Sequence, residues 1–297
     1  MQIKEQHLVK LKGKTYRFNT YCEEFITSIP SRKGVKKAIK RGELLLNNKK
    51  TDGGVWLKEG DRITIVDLER TPPKEYHLKL SVVFEDEDMA VVIKPAGINV
   101  SGNQFKTIQN ALVYNITKST LPDALDWALP VHRLDNPTSG LLLVAKTKTA
   151  RKKLGLALEQ KTIQKTYHAL VIGDTPLEGK ISTPIESKSA TTLYKKIKTV
   201  KSLKNDSLTL LELKPLTGRT HQLRIHCSSI GFPILGDKLY GTEGLVLKNK
   251  GLFLSAVSIT FAHPRTNVKQ EISIPTPYKF VKRMENEQKR YNNYYPQ

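Results

Sequence analysis

The chain has 297 residues, which is enough to bury a sizeable core and to form more than one domain. Its 49 Lys and Arg against 28 Asp and Glu give a net charge of +21, which favours a nucleic-acid partner over a membrane surface because no strongly apolar amphipathic segment accompanies it. Cys22 and Cys227 support neither a disulfide framework nor a zinc ribbon, and no apolar leader or bilayer-length run is present, so we expect a cytoplasmic protein.

The first predicted unit contains a helix followed by a small hairpin. Ser31 is placed to cap the helix, Gly42 ends it, and Val35, Ala38 and Ile39 fall at helical spacing on one side. Residues 44–50 are predicted as a strand that enters a hairpin, and a second strand is predicted at residues 62–66. The other side of the helix is basic and carries Lys33, Lys36, Lys37, Lys40 and Arg41.

A basic helix ahead of a hairpin resembles the RNA-binding module named after the fourth protein of the small ribosomal subunit. The segments that match are Ser31-Arg32, Ile39-Lys40-Arg41-Gly42, Leu46-Asn47-Asn48 and Glu59-Gly60-Asp61-Arg62-Ile63. The first helix departs from the module, because Arg17-Phe18-Asn19 stands where Arg-Leu-Asp is typical. The resemblance implies an RNA-binding domain over residues 1–70, in which the helix cations contact phosphate. A solvated helix face is the alternative that the charge pattern alone leaves open.

A Pro-rich charged segment, residues 69–74, separates this unit from a new core, and we predict a linker over 71–79 and a second domain over 80–297. A buried strand at residues 90–93 runs into the loop Lys94-Pro95-Ala96-Gly97, where Pro95 and Gly97 are expected to shape the backbone.

The segment His132-Arg133-Leu134-Asp135-Asn136-Pro137-Thr138-Ser139-Gly140 is rich in turn residues, and the apolar run of residues 141–145 that follows it favours a buried strand. Asp135 is therefore predicted on a loop held against a sheet. Beside Arg133 and His132 its carboxylate should stay ionised, as an anionic nucleophile requires. An Asp that only hydrogen-bonds its own turn is the other interpretation.

Two further stretches carry chemistry-bearing side chains. Residues 161–171 alternate as a strand that includes Tyr167, and a basic insert of predicted hairpins follows at 173–204. Residues 217–226 form a turn and then a predicted helix from Thr220, with His221 and His226 spaced one residue too far apart for one helical face. We therefore expect no metal site.

The string from His132 to Gly140 matches the His-Arg-Leu-Asp-x-x-Thr-Ser-Gly signature of the RluA-like family of pseudouridine synthases, the ribosomal large-subunit type. Four more segments across most of the chain resemble motifs of the same family. They are similar to Lys-Pro-x-Gly at residues 94–97, Lys-x-Tyr-x-Ala-Leu-Val at 165–171, Thr-Gly-Arg-x-His-Gln-x-Arg at 217–224 and Gly-x-Pro-Ile-x-Gly-Asp-x-x-Tyr-Gly at 231–241.

The resemblance implies roles for particular residues. Asp135 would be the catalytic carboxylate, and Arg219 would hold it ionised in a bidentate pair. Tyr167 would stack on the target base and has been assigned proton abstraction, while Arg133 would fill the place that the base leaves. The residues implied in RNA contact are Arg133, His132 and Arg224.

The implied fold is α+β, with a small helical-hairpin RNA-binding domain ahead of a larger catalytic domain whose mixed, mostly antiparallel sheet is flanked by helices. The implied reaction isomerises uridine to pseudouridine within RNA by breaking the N1–C1′ bond, turning the base and rejoining it through C5, without a cofactor. Large-subunit ribosomal RNA is the expected substrate, with transfer RNA as an alternative, and a non-catalytic RNA- or ribosome-binding protein is a third interpretation. We expect a monomer.

Overall fold

The computed structural model describes residues 2–29, 31–68, 72–245 and 250–296. The chain divides into two compact units, Met1–Thr71 and Pro72–Gln297. Residues 69–71, which belong to the predicted linker segment, lie outside the described part of the chain. No helix within the described ranges is both long enough and apolar enough to cross a bilayer.

The first unit is a three-stranded antiparallel sheet in the order β1-β3-β2, covered by two helices. Ser31 caps the second helix as predicted, accepting a hydrogen bond from the Gly34 amide at 3.1 Å, and Gly42 ends it in the left-handed conformation. Val35 and Ala38 are buried against the sheet. The elements are β1 Gln2–Leu8, α1 Phe18–Phe25, α2 Arg32–Arg41, β2 Leu44–Leu46 and β3 Arg62–Asp67.

The second unit is built on a ten-stranded sheet, which confirms the predicted mixed, mostly antiparallel architecture. Its main path is β4-β5-β7-β12-β8-β11-β10-β9, with β6 paired to β7 and β13 paired to β12. The strands are β4 Ser81–Glu85, β5 Met89–Lys94, β6 Ala124–Pro130, β7 Ser139–Thr147, β8 Gln164–Ile172, β9 Glu178–Ile181, β10 Thr192–Ser202, β11 Asp206–Pro215, β12 Leu254–Ala262 and β13 Lys269–Ser273. The helices are α3 Ile108–Asn115, α4 Lys148–Glu159, α5 Gln222–Ser229 and α6 Tyr278–Tyr294.

Strand β7 explains the continuous apolar run after the Asp135 loop. Leu142 and Val144 belong to the core cluster that also contains residues of α3 and α6, whereas Leu141 and Leu143 belong to the cluster that contains residues of α4. A strand with a core on each face needs apolar side chains at every position, so its sequence does not alternate.

The parallel pairing of β7 with β12 brings the Asp135 loop close to β8. Ala256 of β12 lies opposite Gly140 of β7 on one side and opposite Tyr167 of β8 on the other. Gly140 has φ 113°, and a Cβ atom there would overlap the backbone of Ala256, so this close approach requires glycine. Tyr167 and the loop that precedes Gly140 therefore lie at the same end of the sheet.

Candidate active site

Lys94, the last residue of β5, fixes the backbone of the loop that carries Asp135. The Lys94 ammonium is fully buried, and its Nζ donates to the carbonyl oxygens of Pro95 at 2.8 Å, Asn136 at 3.0 Å and Thr138 at 2.7 Å. Three carbonyl acceptors match the three donors of a charged lysine. Burial lowers the pKa of Lys94 to about 8, while the nearby Asp135 carboxylate opposes that change.

A buried ion pair holds the other side of the loop. Arg224 of α5 donates from Nε and Nη2 to the two carboxylate oxygens of Asp237, each at 2.7 Å, and both side chains are buried. The remaining nitrogen, Nη1, lies 3.9 Å from Asp135 Oδ2. Burial lowers the pKa of Arg224, but the bonds to Asp237 and the charges of Asp237 and Asp135 more than offset this, so the pKa is raised.

His221 also faces Asp135. It precedes α5 with φ 55°, its Nδ1 is 2.9 Å from the Tyr240 hydroxyl, and its Nε2 is 3.9 Å from Asp135 Oδ2. The Tyr240 ring in turn lies 5.0 Å from the Arg224 guanidinium, in cation–π contact. Two nitrogen-bearing side chains therefore approach one oxygen of Asp135, and each is held by a partner of its own.

Two clefts meet at Asp135. The first, which we call cleft A, has a volume of about 370 Å³ and is lined by Tyr167, Lys165, Arg219 and the turn at residues 215–218, among others. The second, cleft B, has a volume of about 650 Å³ and is bordered by residues 96–99, 136–137, 236–239 and 251–252. Asp135, Arg133, His221 and Arg224 line both clefts. Among the described residues that line cleft A, Asp135 is the only carboxylate.

The electrostatics of cleft A favour a neutral tyrosine and a neutral histidine. Burial raises the pKa of Tyr167, and the Asp135 carboxylate raises it further, so the phenol keeps its proton at neutral pH. Burial lowers the pKa of His132 to about 3, with Lys165 acting in the same direction. A hydrogen bond also requires the neutral ring, because His132 Nε2 accepts from the Leu143 amide at 3.1 Å.

The predicted pairing of Arg219 with Asp135 is wrong. Arg219 lies on the loop before α5, and its Nε donates instead to the carbonyl oxygen of Ser189, in the insert, at 3.1 Å. Arg224 occupies the expected place because the helix begins at Gln222 and turns this side chain towards the Asp135 loop. The predicted RNA contact by Arg224 stays a prediction: its guanidinium is buried and paired with Asp237, but the residue lines both clefts.

The other predicted contacts are exposed or satisfied within the protein. Arg133 lies at the edge of both clefts, and His132 is bonded to the Arg133 carbonyl oxygen of its own loop and to the Leu143 amide of β7. The predicted RNA cations on α2 belong to the first unit and lie on the side of the helix away from its buried residues: Lys33, Lys36, Lys37, Lys40 and Arg41.

The second histidine considered for a metal, His226, is satisfied on both ring nitrogens, by Thr192 Oγ1 at 2.9 Å and by the Thr183 carbonyl oxygen at 3.0 Å. Over the described ranges, no three His, Cys, Asp or Glu side chains group as metal ligands.

Sequence reasoning missed Lys94 and Asp237 as residues that organise the site. Both stand inside motifs that were recognised, Lys94 before the Pro95 turn and Asp237 after Gly236. The available signal was chemical: a lysine that ends an apolar strand, and an aspartate in an otherwise apolar segment, both need a buried partner.

Comparison with known proteins identifies the family. Residues 88–229 match the family model described as RNA pseudouridylate synthase. An RNA pseudouridine synthase of Aquifex aeolicus is 32% identical over 94% of this chain and 96% of its own length. The ribosomal large subunit pseudouridine synthase C of Rickettsia conorii is 32% identical over 84% of this chain and 90% of its own. The solved structure titled human RNA pseudouridylate synthase domain containing 1 has a TM-score of 0.56 and 28% identity, covering 67% of this chain and 84% of that one.

A mostly antiparallel sheet with a carboxylate-centred cleft, together with these relatives, defines an RNA-modifying isomerase. The chain belongs to the RluA-like family of RNA pseudouridine synthases, enzymes that convert uridine to pseudouridine.

Replacing Arg224 with Lys should lower pseudouridine formation roughly a hundredfold and the free energy of unfolding by about 2 kcal/mol. A lysine keeps the charge but makes only one of the two bonds to Asp237 and cannot also extend towards Asp135. Single-turnover kinetics and urea unfolding measure the two effects. Arg219→Lys is the matched control and should change unfolding by less than about 0.5 kcal/mol. An Arg219→Lys variant that loses activity while Arg224→Lys keeps it would contradict the assignment.

Proposed function

We propose that this protein isomerises one or more uridines in large-subunit ribosomal RNA, with Asp135 as the catalytic carboxylate. The observation that carries the catalytic assignment is the position of Asp135, the only carboxylate among the described residues of cleft A, with Arg224 Nη1 and His221 Nε2 each 3.9 Å from its Oδ2. The ribosomal substrate is supported by the names of the Rickettsia and Vibrio relatives, which are ribosomal large subunit pseudouridine synthases C.

The reaction begins when the target uridine leaves its stack, which costs a few kcal/mol unless the nucleotide already lies in a loop. In our proposal Arg133, which lies at the edge of both clefts, takes the vacated place. The extruded base enters cleft A and stacks on Tyr167. Because the pKa of Tyr167 is raised, its neutral ring is suited to stacking, and it would need to lose its own proton before it could accept one from C5.

Asp135 then acts on the glycosidic bond. The bond between N1 and C1′ breaks, the base turns, a new bond forms between C5 and C1′, C5 loses its proton and N1 gains one. Attack at C1′, addition to the uracil ring and removal of a ribose proton all use the same carboxylate. Arg224 supports each route, because it fixes a positive charge 3.9 Å from the reacting carboxylate.

The first unit is proposed to bind RNA in the manner of the small-subunit ribosomal module that its sequence resembles. The amphipathic helix α2 supports this proposal, because Val35 and Ala38 are buried on one side of it and its cations are exposed on the other. Phosphate contacts of this kind position RNA without reading its sequence. Localisation in the cytoplasm and a monomeric state are part of the same proposal.

Genetic complementation tests the reaction and the RNA class together. Cells that lack this gene should lose one or a few pseudouridines from large-subunit ribosomal RNA, and the wild-type gene should restore them. Asp135→Asn should not restore them, although the variant protein should still bind RNA, because the amide keeps the shape of the side chain but lacks its charge. Pseudouridine mapping of total RNA provides the measurement. Loss of pseudouridine from transfer RNA instead would identify transfer RNA as the substrate. Restoration of the modification by Asp135→Asn would refute the catalytic role of Asp135.

The salt dependence of RNA binding tests the first unit. Changing Lys33, Lys36 and Lys37 to Gln should make the slope of log K against log salt less negative by about 2, because each phosphate contact to single-stranded RNA contributes roughly −0.7. A matched triple change of lysines in the second unit, at Lys269, Lys282 and Lys289, should alter the slope less. Equal slopes for the two triple variants would show that α2 has no special part in binding.

A further inference from the structure

Cleft B is not used by the reaction as proposed above. It adjoins cleft A at Asp135 and is larger, but Tyr167 does not line it. Its own residues come from four segments: the turn after β5, the segment that follows Asp135, the loop around Asp237, and residues 251–252 before β12. A nucleotide one step along the strand from a uridine seated in cleft A would therefore lie at its entrance.

Cleft B is lined by apolar as well as polar residues, and one of the apolar residues is unusually exposed. Ala96 and Pro137 contribute apolar surface, Leu252 lies buried behind them, and Leu239 is 67% exposed at the lip. The backbone amide of Leu239 donates to Asp237 Oδ1 at 2.9 Å, so the leucine is held at the lip by the same carboxylate that anchors Arg224. An exposed leucine offers apolar surface against which the face of an unstacked base can be buried.

Asn136 supplies a polar edge to the same cleft. Its backbone carbonyl accepts from Lys94 Nζ and from the Gly97 amide, and its side-chain Nδ2 donates to Asn99 Oδ1 at 3.1 Å. Among the described residues, no hydrogen bond occupies its Oδ1, and Nδ2 has a second hydrogen to donate. A fixed carboxamide with one acceptor and one donor left can pair with a base edge that presents a donor beside an acceptor.

Positive charge borders cleft B where a backbone phosphate would lie. Lys238 is exposed next to Leu239 at the lip, and Arg133 lines both clefts. The cleft therefore has a cation at its lip and another at its junction with cleft A. RNA is the polyanion that this family acts on, and its phosphates are the groups that such cations bind.

We propose that cleft B binds the nucleobase next to the target uridine on the same strand. The base lies between Leu239 and the opposite apolar wall, the Asn136 carboxamide reads its edge, and Lys238 contacts the adjoining phosphate. This subsite rests on the proposed entry of the target uridine into cleft A, and it makes Asn136 a residue that determines sequence preference.

The test uses short transcripts that carry the mapped target uridine, with each of the four bases placed before it and then after it. Wild-type enzyme should prefer one base at one of these positions by about tenfold or more in kcat/KM, as expected for a carboxamide–base pair. Asn136→Ala should abolish that preference, and Leu239→Ala should raise KM for every transcript. Leu177→Ala, which changes a leucine 75% exposed in the insert, is the matched control and should behave as wild type.

Equal kcat/KM for all four bases at both positions would overturn the subsite, as would a preference that survives in Asn136→Ala or an unchanged KM in Leu239→Ala. The same preference is then measured as equilibrium binding in an Asp135→Asn background. Base discrimination that depends on Asn136 in this background supports cleft B even if the catalytic role of Asp135 fails. If mapping places the target in another class of RNA, the transcripts are cut from that RNA and the expectation is unchanged.

Discussion

Burying an arginine beside a carboxylate costs each ion much of its hydration, and this protein offsets that cost at Arg224 with two short hydrogen bonds to Asp237. Removing one partner of such a pair costs about 3–5 kcal/mol, so the guanidinium is not free to follow an RNA phosphate. Its third nitrogen is thereby held 3.9 Å from Asp135. With Lys94 fixing the loop backbone, Asp135 has a cation in a set position before RNA arrives.

The parts of the fold that could be predicted are those that depend on residues close together in the sequence. Ser31 and Gly42 bound α2 as expected, and the apolar run of residues 141–145 forms a buried strand. Strand order could not be predicted, because local sequence does not record that β12 inserts between β7 and β8. The last helix packs through Phe280 and Met284 into a core whose other residues are distant in sequence, so local pattern alone does not fix its start at Tyr278.

The site shows the same division. Asp135 and Tyr167 share a cleft, as the motifs implied. Ala256 of β12 pairs with Gly140 of β7, which follows the Asp135 loop, and with Tyr167 of β8, so the two residues come together. The wrong choice between Arg219 and Arg224 arose because one motif contains two arginines, and only the start of α5 at Gln222 decides which of them faces the loop. Lys94 was missed because its three partners are backbone carbonyl oxygens, which leave no pattern in the sequence.

The position of the target uridine in a crystal structure of Asp135→Asn bound to its RNA tests the central claim most directly. The account predicts that the base lies on Tyr167 in cleft A, with C1′ or the uracil ring about 3–3.5 Å from the residue 135 side chain. It also predicts that Arg224 still grips Asp237 in the complex. A target base seated away from Asp135, or an Arg224 side chain turned out to a phosphate, would contradict it.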